Sequence, residues 1–269
     1  MFDRAGHSTE CPYAIYWRGL RRTPLVKIQR IRVVFARGEA TKYITHLDVM
    51  RFWERALRRA ELPVAYSEGF SPHAQLALAA PLPVGTTSDA ELMDVFMAEV
   101  IAPKTLIVQL APQLPEGITV VSAEEVGMAI PALQADVRFA EYDVDIAAAR
   151  CDREVDAGDW KVAVGADVAD TVARFVAAAT IPWEHKREDE VKSYDIRLQV
   201  EAIDVIARDG DGVRLGLRLK NDSSGSGRPE QVAAALGLPA PTRIHRTKLI
   251  LAGASPARAA LRKSGRYAG

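Results

Sequence analysis

Cysteine is almost missing from this chain: Cys11 and Cys151 are the two in 269 residues. Two thiols cannot build a disulfide framework, nor supply the roughly four that an iron–sulfur cluster or a Cys-rich zinc site needs. A reducing cytoplasm is therefore expected, with no cofactor held by this chain itself. Long apolar runs are also lacking. No segment approaches the roughly 18 residues of a membrane span, and Asp3, Arg4, His7 and Glu10 stand where a signal peptide would need an apolar core. No membrane role is expected. Gly (18) and Pro (15) are too few for a collagenous or low-complexity chain. What remains, 48% hydrophobic and 26% charged, suits one large globular domain or two of about 100–130 residues.

Net charge is absent overall but not locally. Residues 1–75 hold 13 Lys+Arg against 7 Asp+Glu, residues 76–180 hold 6 against 17, and residues 181–269 hold 16 against 11. Basic ends around an acidic middle fit either a polyanion-binding surface built from clustered cations or mutual neutralisation within the fold.

Residues 1–26 show no sustained period and are expected to be a disordered extension. From residue 28 the chain alternates as a strand. Thr45-His46-Leu47-Asp48 fits a capping box opening a helix to about Glu61, with Leu47, Met50, Trp53, Leu57 and Ala60 as its apolar stripe. Arg51, Arg55 and Arg58 recur on the opposite side. Strand pieces at 63–66 and 75–80, a strand at 91–100, a helix at 104–113 opened by Pro103 and a strand at 118–121 complete a β-α-β-β-α-β order. The second half repeats it less clearly. A strand at 138–146 and a polar loop at 150–165 precede a helix capped by Asp167, strands at 193–205 and 213–219, a helix at 229–236 ended by Gly237, and a last strand at 242–251. The expected fold is α+β, two ferredoxin-like units in tandem: 27–130 and 137–252, with residues 253–269 a basic disordered tail.

Three groups of residues carry candidate chemistry. The cations Arg51, Arg55, Arg58 and Arg59 on the first helix, with Arg243, His245, Arg246 and Lys248 on the last strand, are expected to line one groove for a phosphate backbone. Strict alternation would put Arg243 and His245 on one face, Arg246 and Lys248 on the other. The loop Tyr66-Ser67-Glu68-Gly69-Phe70 offers aromatics for base stacking. His46 and His73 are candidate catalytic residues for acid–base cleavage of RNA. His46, Asp48 and His73 match no compact ligand spacing, so no metal site is expected. Neither a GxSxG elbow nor an HExxH helix is present.

Thr45-His46-Leu47-Asp48, the run Glu54 to Ala60, Tyr66-Ser67-Glu68-Gly69-Phe70-Ser71-Pro72-His73 and Ala80-Pro81-Leu82-Pro83-Val84-Gly85 together resemble the bacterial radical SAM-linked protein family. Arg228-Pro229-Glu230 and Arg243-Ile244-His245-Arg246-Thr247 fit its C-terminal part, and the resemblance covers roughly residues 28–251. Thr45 stands where that family more often has Ser, and Ala74 where a second Pro is frequent. The resemblance implies a domain of unknown activity fused to, or encoded beside, a cobalamin-binding radical SAM protein, which would hold the cluster; it assigns no catalytic residues. The expected function is an accessory RNA-binding adapter, more accessory than enzyme, that presents tRNA or rRNA to that radical SAM partner. A metal-independent endoribonuclease using His46 and His73 is the alternative. A protein–protein module touching its partner through the acidic 141–170 stretch is a third.

Overall fold

Ile31, Val33 and Phe35 give residues 31–35 an apolar face, and in the computed structural model they form the middle of β1 (Gln29–Arg37). The structure describes residues 26–68, 71–187, 190–210 and 212–253. The expected extension up to residue 25, the tail from residue 254, and Gly69 and Phe70 of the motif loop lie outside the described residues.

Helix α1 (His46–Arg59) follows, with Thr45 as N-cap: its Oγ1 accepts from the Asp48 amide at 3.3 Å. The Asp48 carboxylate, expected to bond the Thr45 amide, instead accepts the Thr45 hydroxyl at 2.7 Å. The buried stripe is shifted from the one expected. Val49, Trp53, Ala56 and Leu57 are inside, whereas Leu47 is 65% exposed. Trp53 sets the phase, because its ring packs edge-on against Phe35 with centroids 4.9 Å apart. β2 (Leu76–Leu78), β3 (Thr87–Met97), α2 (Pro103–Leu110) and β4 (Ile118–Val126) complete the first half. Its core joins Ile31, Val33 and Phe35 to Trp53, Met93, Val95 and Leu106.

A short α3 (Leu133–Asp136) leads into β5 (Val137–Ile146) and the hairpin β6 (Val155–Ala157) and β7 (Trp160–Val162). That hairpin occupies the stretch expected to be a polar loop. Val155, Trp160 and Val162 are buried, and Trp160 Nε1 donates to the Ala235 carbonyl at 2.8 Å. Then come α4 (Val168–Ala177), the hairpin β8 (Pro182–Arg187) and β9 (Glu190–Asp195), β10 (Val200–Asp209) and β11 (Gly212–Asp222). A 3-10 turn at 196–199 splits the single strand expected over 193–205. The Asp195 carboxylate causes the break by accepting from the Ile181 and Arg197 amides. β12 (Gly225–Ser226), α5 (Pro229–Ala235) and β13 (Arg243–Leu251) end the described chain. Gly237 closes α5 at φ +69°, where a Cβ would come within 2.7 Å of the Arg153 carbonyl oxygen.

The fold is mixed α+β, one large mixed sheet with few helices. Its strands run in the order β10-β11-β5-β13-β3-β1-β4, with β12 on β11 and β2 on β3. Within each half the four main strands stand fourth, first, third, second: β4-β1-β3-β2 and β13-β5-β11-β10. All these neighbours are antiparallel; the parallel pair is β3 with β13, where the halves meet.

That seam is narrow in main-chain terms. It registers His245 with Thr87 and Arg246 with Ser88, while β2 takes the same edge of β3 further along. Side chains do the rest. Arg246 is fully buried; its Nε and Nη2 donate to the two Glu91 carboxylate oxygens, and Nη1 and Nη2 reach the Pro81 and Ala80 carbonyls. A second buried group pins the connection between halves. Asp94 accepts from Arg30 and Arg32, and Arg30 also donates to the Ile130 and Pro131 carbonyls at 2.9 Å.

Removing one partner of a buried ion pair strands the other charge, whereas replacing both by apolar groups is often nearly neutral. Glu91→Leu is expected to lower stability by roughly 3–5 kcal/mol, and Glu91→Leu with Arg246→Met to lose much less. Urea-unfolding midpoints of the two variants check this; equal losses would mean that the pairing does not hold the seam.

Candidate functional site

The three charge blocks meet in the sheet. On one face of the second half, β5 presents Glu141, Asp143 and Asp145, flanked by Arg214 and Arg218 of β11 and by Arg243, His245 and Lys248 of β13. Arg218 Nη2 donates to Glu141 at 2.6 Å, and Asp145 accepts from both Nε and Nη2 of Arg214 and, at 3.4 Å, from Arg243. With Asp94 on Arg30 and Arg32, and Glu91 on Arg246, the acidic middle of the chain neutralises its basic ends within the fold.

A cleft of about 530 Å³ opens at the seam. The end of β1 and the turn after it contribute Arg37 and Glu39, and the start of β3 contributes Thr87, Ser88 and Asp89. Asp145, Arg214, Arg243 and His245 close the other side. His245 Nε2 lies 3.1 Å from the Asp89 carboxylate and Nδ1 2.8 Å from the Thr87 hydroxyl, so the ring is fixed at both nitrogens. Electrostatics differ sharply between neighbours. Burial alone would raise the Asp145 carboxyl, but bonds and charge from Arg214, then Arg243, outweigh it and hold it below the usual carboxylate range. Burial raises Asp143, and the charges of Arg214, His245 and Arg243 offset this only in part. Burial also lowers Arg37, whose Nη2 donates to the Thr41 and Ile44 carbonyls and whose Nε is left without a partner among the described residues.

The cations named from sequence fall into different places. Arg243 and His245 line the cleft. Arg246 faces the other way and is buried on Glu91, so it is not a phosphate ligand; a cation on a strand reads as solvent-facing only when its carboxylate partner, 155 residues away, is not seen. A β-bulge between Arg246 and Lys248 pairs Lys248 with Glu141 and returns it, exposed, to the His245 face, against the alternation expected. Arg51, Arg55, Arg58 and Arg59 lie exposed on α1 and none of them lines the cleft, so the expected common groove is not formed. Arg51 is 3.5 Å from Asp48, and Arg59 donates to Gln113. Arg55 and Arg58 have no anionic partner among the described residues.

The two candidate catalytic histidines do not meet. His73 Nδ1 lies 3.7 Å from Glu54, which is two turns along α1 from His46, roughly 12 Å of helical rise. No contact joins the two imidazoles among the described residues. In the motif loop, Tyr66 is half-buried and bridges Ala74, Ser67 Oγ accepts from the His73 amide at 3.0 Å, and Glu68 is exposed. Sequence reasoning missed an exposed aromatic among the described residues: Tyr43, 70% exposed just ahead of α1. Asp89, Asp143, Asp145 and Arg214 were missed as well, although alternating acids at 141, 143 and 145 and cations at 214 and 218 carry the signal. Among the described residues no group of three or more His, Cys, Asp or Glu could hold a metal, and no helix is long and apolar enough to cross a membrane.

These features define a mixed α+β protein with a charged cleft at the joint of two similarly ordered halves. The chain belongs to the family described as "Uncharacterized protein conserved in bacteria (DUF2344)", whose model matches residues 30–229. No curated protein matches it. Among solved structures it is similar in fold to a chain of a Cbf5-Nop10-Gar1 complex, with TM-score 0.42 and 10% identity over 84% of this chain and 51% of that one. A chain of an H/ACA RNP bound to a substrate RNA containing 2'-deoxyuridine gives 0.38 and 11%, over 84% and 48%. An unknown protein from Galdieria sulphuraria gives 0.23 and 14%, over 71% and 81%. The chain thus spans about half the length of the first two. Likenesses this weak carry no functional argument.

Because the folded-state Asp145 carboxyl is depressed, its contribution to stability is complete above the ordinary carboxylate range near pH 4. It is lost as pH falls through the depressed value. Asp145→Asn is therefore expected to be less stable than the unaltered protein at pH 6–7, with the gap closing in strong acid. Thermal midpoints from pH 2 to 7 check this, and a gap independent of pH would remove the argument.

Proposed function

We propose that the chain is an accessory protein that binds RNA, such as tRNA or rRNA, through the exposed face of α1 and adapts it for a radical SAM partner. The observation that carries this reading is the row Arg51, Arg55 and Arg58. Arg30, Arg32, Arg214, Arg218 and Arg246 are matched to carboxylates within the fold, whereas Arg55 and Arg58 stand on the surface without an anionic partner among the described residues. Phosphate recognition needs cations free to exchange counterions for phosphates. Tyr43, with its ring exposed and Lys42 Nζ 5.2 Å from its centroid, supplies a stacking surface near the N-terminus of the same helix. The strand order shared by the two halves supports reading each as a ferredoxin-like unit, 27–130 and 137–252. The radical SAM partner rests on the sequence resemblance at 45–85. The nuclease reading gains nothing from the placement of His46 and His73.

Fluorescence anisotropy with labelled bulk tRNA and rRNA fragments tests it. The protein is expected to bind with an affinity that falls with salt. Arg51→Ala, Arg55→Ala and Arg58→Ala together should weaken binding and flatten the log–log salt slope by about 0.7–0.9 for each phosphate no longer neutralised. Lys104→Ala on α2 should change neither. A wild-type protein with no salt-sensitive RNA affinity would refute the proposal.

A further inference from the structure

The sheet face next to the cleft contains one carboxylate that the fold leaves open. Glu141, Asp143 and Asp145 follow one another along β5, and β11 sets Arg218, Gly216 and Arg214 opposite them. The two outer pairs close as ion pairs. The middle one cannot, because Gly216 has no side chain to offer. On the other flank His245 is the register partner of Asp143, but its ring is already committed to Thr87 and Asp89. No hydrogen bond or ion pair closes on the Asp143 carboxylate among the described residues. A half-buried acceptor without a donor is costly unless water or a ligand completes it. Its carboxyl is correspondingly raised by burial.

Close by stands a cation with donors to spare. Arg243 lines the cleft with its side chain 34% exposed, and its contact with a carboxylate is one 3.4 Å approach to Asp145, whose oxygens already accept from Arg214. A guanidinium has five N–H donors in a fork that suits oxyanions. Asp143 lies two residues along β5 from Asp145, the register partner of Arg243, so acceptor and cation are separated by about 7 Å of strand rise. The cleft volume lies in the range of roughly 300–1,000 Å³ typical of small-molecule sites.

We infer that the seam cleft together with the sheet face beside it binds a single nucleotide unit, its phosphate on Arg243 at the cleft wall and an N–H or O–H of its base or ribose on Asp143 of the adjoining face. The site is separate from the α1 arginines, so it stands whether or not those bind RNA. The nucleotide is either free or one residue of an RNA strand, and both present the same phosphate and donor.

Isothermal titration of the full chain with the four ribonucleoside 5'-monophosphates, with inorganic phosphate, with nucleosides and with a short single-stranded oligoribonucleotide tests the inference. Saturable binding of at least one monophosphate or of the oligoribonucleotide is expected, with phosphate or nucleoside alone at least tenfold weaker. Asp143→Asn and Arg243→Ala should each weaken it tenfold or more while keeping the far-UV circular dichroism spectrum. Binding of monophosphates identifies a free nucleotide site, and Asp143-dependent binding of the oligoribonucleotide alone identifies a strand. The Arg51, Arg55 and Arg58 alanine variant should retain monophosphate binding, which separates this site from the proposed α1 surface. Absence of binding by the wild-type protein, or equal binding by folded Asp143→Asn, overturns the inference.

Discussion

The contact between Arg246 and Glu91 is the constraint on which the rest of the molecule depends. Two registered residue pairs are little main chain to join two halves, and a guanidinium gripped by both oxygens of a buried carboxylate supplies the rigidity that the short pairing lacks. Arg246 and His245 are consecutive on β13 and face opposite ways. Fixing one inside the core therefore aims the other at Thr87 and Asp89, so the wall of the cleft is placed by an interaction on the far side of the sheet.

Charge is arranged by the same logic. An acidic strand between two basic ones is stable because cross-strand neighbours of opposite sign attract, and like charges in those places would repel. Such a face shows little net potential despite its many ions. Within this lattice the unmatched position, Asp143, is conspicuous.

Much of the architecture can be read from sequence because it rests on local periods. The alternation of Ile31, Val33 and Phe35, the Thr45 and Asp167 caps, and the Pro103 and Gly237 helix ends all mark their elements correctly. The failures are non-local. Leu47 and Val49 fit helical stripes equally well until Phe35 fixes the side on which Trp53 must lie. Residues 155–162 carry too few apolar side chains to announce a hairpin, yet Trp160 finds the Ala235 carbonyl and turns them into one. The cations of the last strand look alike in sequence, and a bulge together with one distant carboxylate gives them three different environments. The candidate cleft suffers most, since it is assembled from β1, β3, β5, β11 and β13 and no single stretch announces it.

The order in which the chain leaves the ribosome gives the seam one more meaning. Glu91 emerges 155 residues before the arginine that neutralises it, so a nascent first half can bury Trp53 and Met93 but must keep Glu91 hydrated, and the adjoining edge of β3 unpaired, until β13 has been made. Synthesis of β13 and closure of the interior are thus a single event, and a product cut short before residue 243 would display to quality-control proteases the strand edge that β13 normally covers.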